Sequence, residues 1–238
     1  MLSKWLGILG GGFVVTIQVS AMTLVLSILV AALLAMMSVS PWRPVRGLAS
    51  AYVDTFRSIP ILALAISVYY GLGATLHHLG IEPLGTAVAV LTAIESAYLA
   101  ELYRSALEAI RRPQWDAASS LGLGWLATVR HVILPQALPA AIPITLNMAI
   151  AIIKDSSLVS LIAVSEITLV ANQLIAETFE PTRIYLLVAL LYVALILPLS
   201  QVSRRIEVLV ARRLGLQART DQEKTLQRLS IQAEARAG

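Results

Sequence analysis

Cysteine is absent from the 238 residues, which excludes disulfides, thiolate metal sites and a cysteine nucleophile. Charge is scarce: Asp, Glu, Lys and Arg make up 13% of the chain, against 58% apolar residues. Soluble domains carry about a quarter charged residues, so this balance argues for a membrane protein in contact with a lipid bilayer. No glycine-rich phosphate-binding sequence ending in Lys-Ser or Lys-Thr occurs, and no nucleophile-plus-base arrangement stands out. The chain therefore has no candidate catalytic residues, no bound cofactor is expected, and it has no visible means of hydrolysing ATP. His77 and His78 are adjacent, so they do not share a helix face and do not read as a metal site. A net charge of +4 gives no reason to expect nucleic acid as a partner. No internal repeat is found, which counts against transporter folds built from two repeated halves.

What the chain does have is long apolar runs. Five read as spans of about 30 Å of hydrocarbon, at roughly 13–38, 59–79, 84–104, 137–160 and 183–203. The first is too long for a signal-peptide core and is read as a retained span. Arg43, Arg46 and Arg57 lie between spans one and two, Arg104, Arg111, Arg112 and Arg130 between three and four, and Arg204, Arg205, Arg212 and Arg213 after five. The connection between spans two and three has no Lys or Arg. The one between four and five has only Lys154 and Arg183 at its edges, and the N-terminal segment has only Lys4. The positive-inside rule then predicts an N-terminus outside and a C-terminus in the cytoplasm. The expected fold is all-α, with five membrane helices over residues 1–215 and a polar cytoplasmic tail from 216 to 238. The stretch Ser157–Phe179 is apolar but broken by Ser165, Glu166, Asn172 and Gln173. It reads as an extension of span four followed by a helix at the outer surface, because a sixth span would put the basic C-terminal segment outside.

The most distinctive segment is polar and glycine-punctuated, running from Gln114 to Ala137 between apolar spans. Pro113 suits the first turn of a helix, where its missing N–H would be unpaired anyway. Asp116 is expected near the positive end of that helix dipole. Ala117 and Ala118 favour helix, and Gly122 is placed to end it in a left-handed conformation. A second short helix is expected from about Trp125 to Ile133, stopped by Pro135. The product would be a small helix–turn–helix knob in water beside the membrane, with little side-chain bulk along Ala117 and Ala118 and shaped to enter a groove on a partner.

Charged groups inside spans are costly and mark functional candidates. Glu95 and Glu101 lie in span three; six residues are about 600° of helix, so the two project from different faces. Glu101 has two readings, a pair with Arg104 at i+3 or a place in a translocation path. Glu95, deeper in the span, reads either as part of a polar cavity that contacts substrate or as a structural hydrogen-bonding group. The run Lys154-Asp155-Ser156-Ser157 is a polar break after an apolar helix. It is either a solvated helix end or a substrate-facing element, which makes Lys154, Asp155 and Ser157 path candidates. Arg57 is most simply an interfacial anchor ahead of Pro60, which fits a first helical turn.

The knob segment resembles the cytoplasmic coupling loop, here about 112–135, of ABC-importer permeases. The family pattern is an acid, two alanines, a glycine six residues after the acid and a distal Ile-x-Leu-Pro. Here it reads Asp116, Ala117, Ala118, Gly122, then Val132, Leu134 and Pro135. TFRSIPIL at 55–62, YYGL at 69–72, AYLAELYR at 97–104 and KDSSLVSLI at 154–162, with Thr16 and Ser20, resemble the polar amino-acid branch. The resemblance covers roughly residues 10–215. It implies a multi-pass subunit of the bacterial inner membrane, paired with a second permease (the same or a related chain), a pair of ATP-binding subunits that carry ATP and Mg, and an extracytoplasmic solute-binding protein. Asp116, Ala117, Ala118 and Gly122 would then dock on the ATPase, and residues near Glu101 and Asp155 would touch substrate. Two positions depart from the pattern. Asp116 stands where glutamate is usual, and Glu95 where a small or neutral polar residue is expected; the extra carboxylate would favour a cationic or zwitterionic ligand such as a basic amino acid, an opine or a compatible solute. Two rivals remain: a secondary transporter or channel driven by an ion gradient without an ATPase, and a non-transporting scaffold indifferent to loss of Asp116 and Gly122.

Overall fold

The computed structural model describes residues 2–110 and 112–213, so the tail at 216–238 lies outside the described residues. Among those described, every regular element is helical. In chain order these are α1 (Leu2–Ser38), α2 (Arg43–Ser58), α3 (Ile61–His78), α4 (Pro83–Glu108), α5 (Arg112–Ser120) and α6 (Trp125–Thr128). A π-helical turn (Val129–Ile133) then leads into α7 (Leu134–Asp155), a 3-10 segment (Ser156–Ile162), α8 (Ile167–Thr178) and α9 (Pro181–Arg213). Five stretches are long and apolar enough to cross a membrane: Ser3–Ser38, Ile61–His78, Pro83–Glu108, Trp125–Ile162 and Pro181–Arg212. They match the five expected spans in number and order. At 12 residues, α8 reaches only about 18 Å, too short to be a sixth.

Helix α4 is the centre of the bundle, packed against α1, α2, α3 and α7. Near one end, its Ala87, Val88 and Leu91 meet Val19 of α1, Ala65 of α3 and Val159 and Ile162 of the 3-10 segment. Toward the other end, Leu99 and Ala100 meet Ala31 and Leu34 of α1, Ala49 and Val53 of α2, and Met148 and Ile152 of α7.

The basic stretch after α1, read from sequence as a connection, is in fact helix α2. Ala49 and Val53, four apart, make one buried stripe. The Tyr52 hydroxyl anchors the helix by donating to the Ala93 carbonyl at 3.1 Å and lies 3.0 Å from the Ser96 hydroxyl. Helix α2 stops because Pro60 disfavours the helical region for the residue before it: Ile59 is extended, at φ −99° and ψ 126°. Together α2 and α3 form a broken pair, one half-helix along each half of α4.

Pro135 does not stop the helix that precedes it. The chain widens to π geometry over Val129–Ile133, with the Leu134 amide donating to the Val129 carbonyl, and then continues as α7 with Pro135 in its first turn. Pro139 and Pro143 follow at four-residue spacing inside α7. Each lacks the N–H that would bond the carbonyl four residues earlier, so one stripe of α7 is short of backbone hydrogen bonds.

Candidate functional site

A cavity of about 360 Å³ opens where α2 breaks from α3. It is lined by Arg57, Ile61, Glu95, Tyr98, Glu101, Leu102, Met148, Ala151 and Asp155. Glu95 is 3% exposed, and it faces Asp155, the last residue of α7. The Arg57 guanidinium lies 5.4 Å from the centre of the Tyr98 ring, and the Tyr98 hydroxyl donates to the Arg57 carbonyl at 3.3 Å. Arg57, read from sequence as an interfacial anchor, is exposed and also lines this cavity, because α2 carries it to the level of Tyr98, ten residues before the end of α4. A Cation–π contact holds it on the cavity wall.

Glu101 pairs with Arg104, as its i+3 spacing suggests, through a two-point contact at 3.0 and 2.6 Å; Arg104 also reaches Glu108 at 2.5 Å. A second, more polar cavity of about 320 Å³ lies beside this pair, lined by Ser38, Arg46, Ser50, Val53, Asp54, Arg57, Glu101, Arg104 and Glu108. Arg57 and Glu101 belong to both cavities and so stand at their junction. Of the path candidates, the fold gathers Glu95, Glu101 and Asp155 around one space. Lys154 is exposed and, like Ser157, is not on its wall; the Ser157 hydroxyl turns back to the Lys154 carbonyl at 2.7 Å. Sequence reasoning missed Tyr98 altogether, although it lies in the quoted AYLAELYR segment. A second buried carboxylate, Glu166, caps α8: it accepts from the Thr168 and Leu169 amides at 2.7 and 2.9 Å. Thr16 and Tyr192 hydroxyls reach its other oxygen, each at 3.4 Å. Burial raises its carboxyl above the usual range, opposed by those hydrogen bonds.

The knob forms at the end of α4 away from Pro83. Pro113 sits in the first turn of α5, and Gly122 adopts φ +76° just past its end. The Leu123 amide bonds the Ala118 carbonyl at 3.1 Å and the Gly122 amide the Ser119 carbonyl at 2.9 Å, the paired bonds of a Schellman cap. Two expectations are corrected. Asp116 is the fifth residue of α5, beyond the first turn in which the dipole acts, so it is an exposed anion without that support. Ala118 is buried, so of the two alanines only Ala117 is exposed at the surface of the knob. Leu121 and Leu126 project beside Gly122, 82% and 64% exposed. The Trp125 indole N–H donates to the Val39 carbonyl, just past α1, at 3.1 Å.

A five-span helical chain with charged cavities among its helices and an exposed, partly apolar knob at one end has the architecture of a membrane transport subunit. The model of the family "binding-protein-dependent transport system inner membrane component" matches residues 23–215, and the chain belongs to that family of ABC transporter permeases. A probable amino-acid ABC transporter permease protein, y4tF, of Sinorhizobium fredii is 33% identical over 215 residues, 89% of this chain and 90% of the relative. The probable glutamine ABC transporter permease protein GlnM of Bacillus subtilis is 30% identical over 189 residues, 79% of this chain and 87% of the relative. Among solved structures, an amino acid ABC transporter crystallised with histidines superposes with a TM-score of 0.77 at 27% identity, covering 89% of this chain and 96% of that one. The MetNI methionine transporter shares the fold, with a TM-score of 0.63 at 20% identity.

Proposed function

We propose that this chain is the membrane-spanning subunit of an ATP-driven bacterial importer for amino acids or related small polar solutes. Residues 1–215 form the permease domain, with the N-terminus outside and the C-terminus and its 216–238 tail in the cytoplasm of an inner-membrane protein. Two permeases, this chain with a copy or a relative, stand between an extracytoplasmic solute-binding protein and a pair of ATPases that bind ATP and Mg. The observation that carries this reading is the Schellman-capped knob, with Asp116, Ala117, Leu121 and Leu126 exposed around the left-handed Gly122. A short, rigid and partly apolar projection is suited to seat in a groove of the ATPase.

In the membrane, a zwitterion or cation is matched by the cavity's charges. Arg57, held on Tyr98, faces the carboxylate of the solute, and Glu95 and Asp155 face its ammonium or cationic side chain. Glu101 stands at the way out, divided between solute and Arg104. Co-purification with candidate ATPases tests the assignment, comparing wild type with Asp116→Lys and Gly122→Asp. Binding by wild type and loss in both variants supports it. No ATPase bound by wild type, or binding indifferent to both changes, overturns it in favour of a transporter driven by an ion gradient.

A further inference from the structure

Three helical routes lead away from the knob. Helix α4 enters it from the N-terminal side, ending at Glu108 just before α5, and is held at the bundle's centre among α1, α2, α3 and α7. A second is α7, which continues the same chain but carries Pro135, Pro139 and Pro143 along one stripe. Missing hydrogen bonds at prolines make a helix bend rather than push. The third is α1, 37 residues without a proline and joined to the knob through space: the Trp125 indole bonds the Val39 carbonyl, and Ala35 packs with Ile133, Trp115 and Val132. That carbonyl lies at the end of a helix, where acceptors lack partners, and an indole N–H is a donor that needs one.

Closer to its midpoint α1 is joined just as specifically. The Thr16 hydroxyl accepts from the Ile167 amide at 3.2 Å and lies 3.4 Å from the Glu166 carboxylate. Gly12 brings the backbones together: a Cβ there would stand 2.8 Å from the Ile167 Cα. Thr16 and Val39 are about 35 Å apart along the helix. Between them, among the described residues, no hydrogen bond ties α1 to another helix. Ser20, Thr23 and Ser27 face inward, buried and without partners. The stretch of α1 between Thr16 and Val39 is thus packed on its neighbours by shape alone, while its two limits are pinned by polar contacts.

We propose that α1 is the subunit's transmission strut. Trp125 is a positioning residue that makes α1 follow the knob, and the Gly12–Thr16 contact delivers that displacement to Glu166 and α8. The inference rests on the ATP-driven reading above. It assigns the motion a route other than α4 and α7, the two helices covalently continuous with the knob.

The test uses the complete transporter in proteoliposomes, reading ATP hydrolysed and solute taken up side by side. Trp125→Phe removes the N–H and keeps the ring bulk; Thr16→Val removes the hydroxyl at nearly constant volume. Each is expected to keep ATPase association and hydrolysis while uptake per ATP falls several-fold. Because the chain has no cysteine, a Val39→Cys, Trp125→Cys pair can be bridged by a short bifunctional thiol reagent. The bridge should restore the uptake that the unbridged pair loses, which a merely structural role for the indole would not give. Wild-type uptake per ATP in both Trp125→Phe and Thr16→Val overturns the proposal, as does loss of ATPase association in Trp125→Phe, which would make the indole a docking group. Failure of wild type itself to couple uptake to any ATPase is a different result: it removes the importer reading and the strut with it.

Discussion

Arg57 and Tyr98 hold each other twice, by the guanidinium 5.4 Å from the ring centre and by the phenol hydroxyl donating to the Arg57 carbonyl at 3.3 Å. The ring fixes where the cation stands on the cavity wall, and the hydroxyl ties down a carbonyl left free at the end of α2. Removing the ring face should cost about 0.5–1 kcal/mol of Arg57 positioning at this exposed site. Tyr98→Leu is therefore expected to raise the uptake half-saturation concentration about two- to fivefold, with Tyr98→Phe much closer to wild type. Equal effects of the two substitutions would show that the hydroxyl, not the cation–π contact, sets the site.

Glu95 offers a second test in the same cavity. A hydrogen bond to a charged group contributes about 1.5–3 kcal/mol, so Glu95→Gln should reduce uptake of cationic solutes by about tenfold or more while sparing anionic ones. Uptake assays across basic, neutral and acidic amino acids check this. An unchanged profile for every cationic and zwitterionic solute would remove Glu95 from the substrate path.

Glycines of α1 separate close packing from helix propensity. Gly12 meets the Ile167 backbone, whereas a Cβ on Gly11 meets nothing within 4 Å. Gly12→Ala should destabilise by about 1–3 kcal/mol, the usual cost of overpacking. Gly11→Ala should be neutral or stabilise by up to about 1 kcal/mol. Thermal unfolding of the two variants in detergent decides the matter; similar midpoints would show that α1 and α8 are not held as closely as described.

Glu166 gives stability a pH dependence. Its native carboxyl is raised above the ordinary glutamate value by burial, so the folded state holds its proton more tightly than the unfolded chain. The corresponding stabilisation is full below about pH 4.3, the ordinary value, and is lost as pH rises through the native pKa. Wild type should therefore lose stability relative to Glu166→Gln as pH climbs above that point, measured as the difference between their melting temperatures. A constant difference across the range would show that the carboxyl titrates normally.

Local features were the legible ones. Pro113 and Gly122 mark the start and end of α5 because each acts through its own backbone, and the knob follows from them. The five apolar runs carry their own length signal. Helix α2 was hidden because Arg43, Arg46, Asp54 and Arg57 give it the composition of a connection. Ala49 and Val53, buried against α1 and α4, and the Tyr52 hydroxyl on the Ala93 carbonyl about 40 residues away hold it as a helix in this position. The same distance hid the Arg57–Tyr98 contact. Asp155 was visible as a polar break and Glu95 as a charge in a span, but their meeting depends on how α4 packs against α7. Pro135 misled because the π turn ahead of it absorbs the missing bond, and no single residue announces such a turn.

The break at Ile59–Pro60 has a consequence for the electric field. It sits on the cavity wall, where Arg57 and Ile61 both lie, so a half-helix ends and another begins at one depth. The last carbonyls of α2 carry partial negative charge and the first amides of α3 partial positive charge. Both poles belong to the backbone, which has no proton to gain or lose. A dipolar solute arriving there meets a fixed dipole of the peptide backbone itself, in addition to the side chains of the cavity wall.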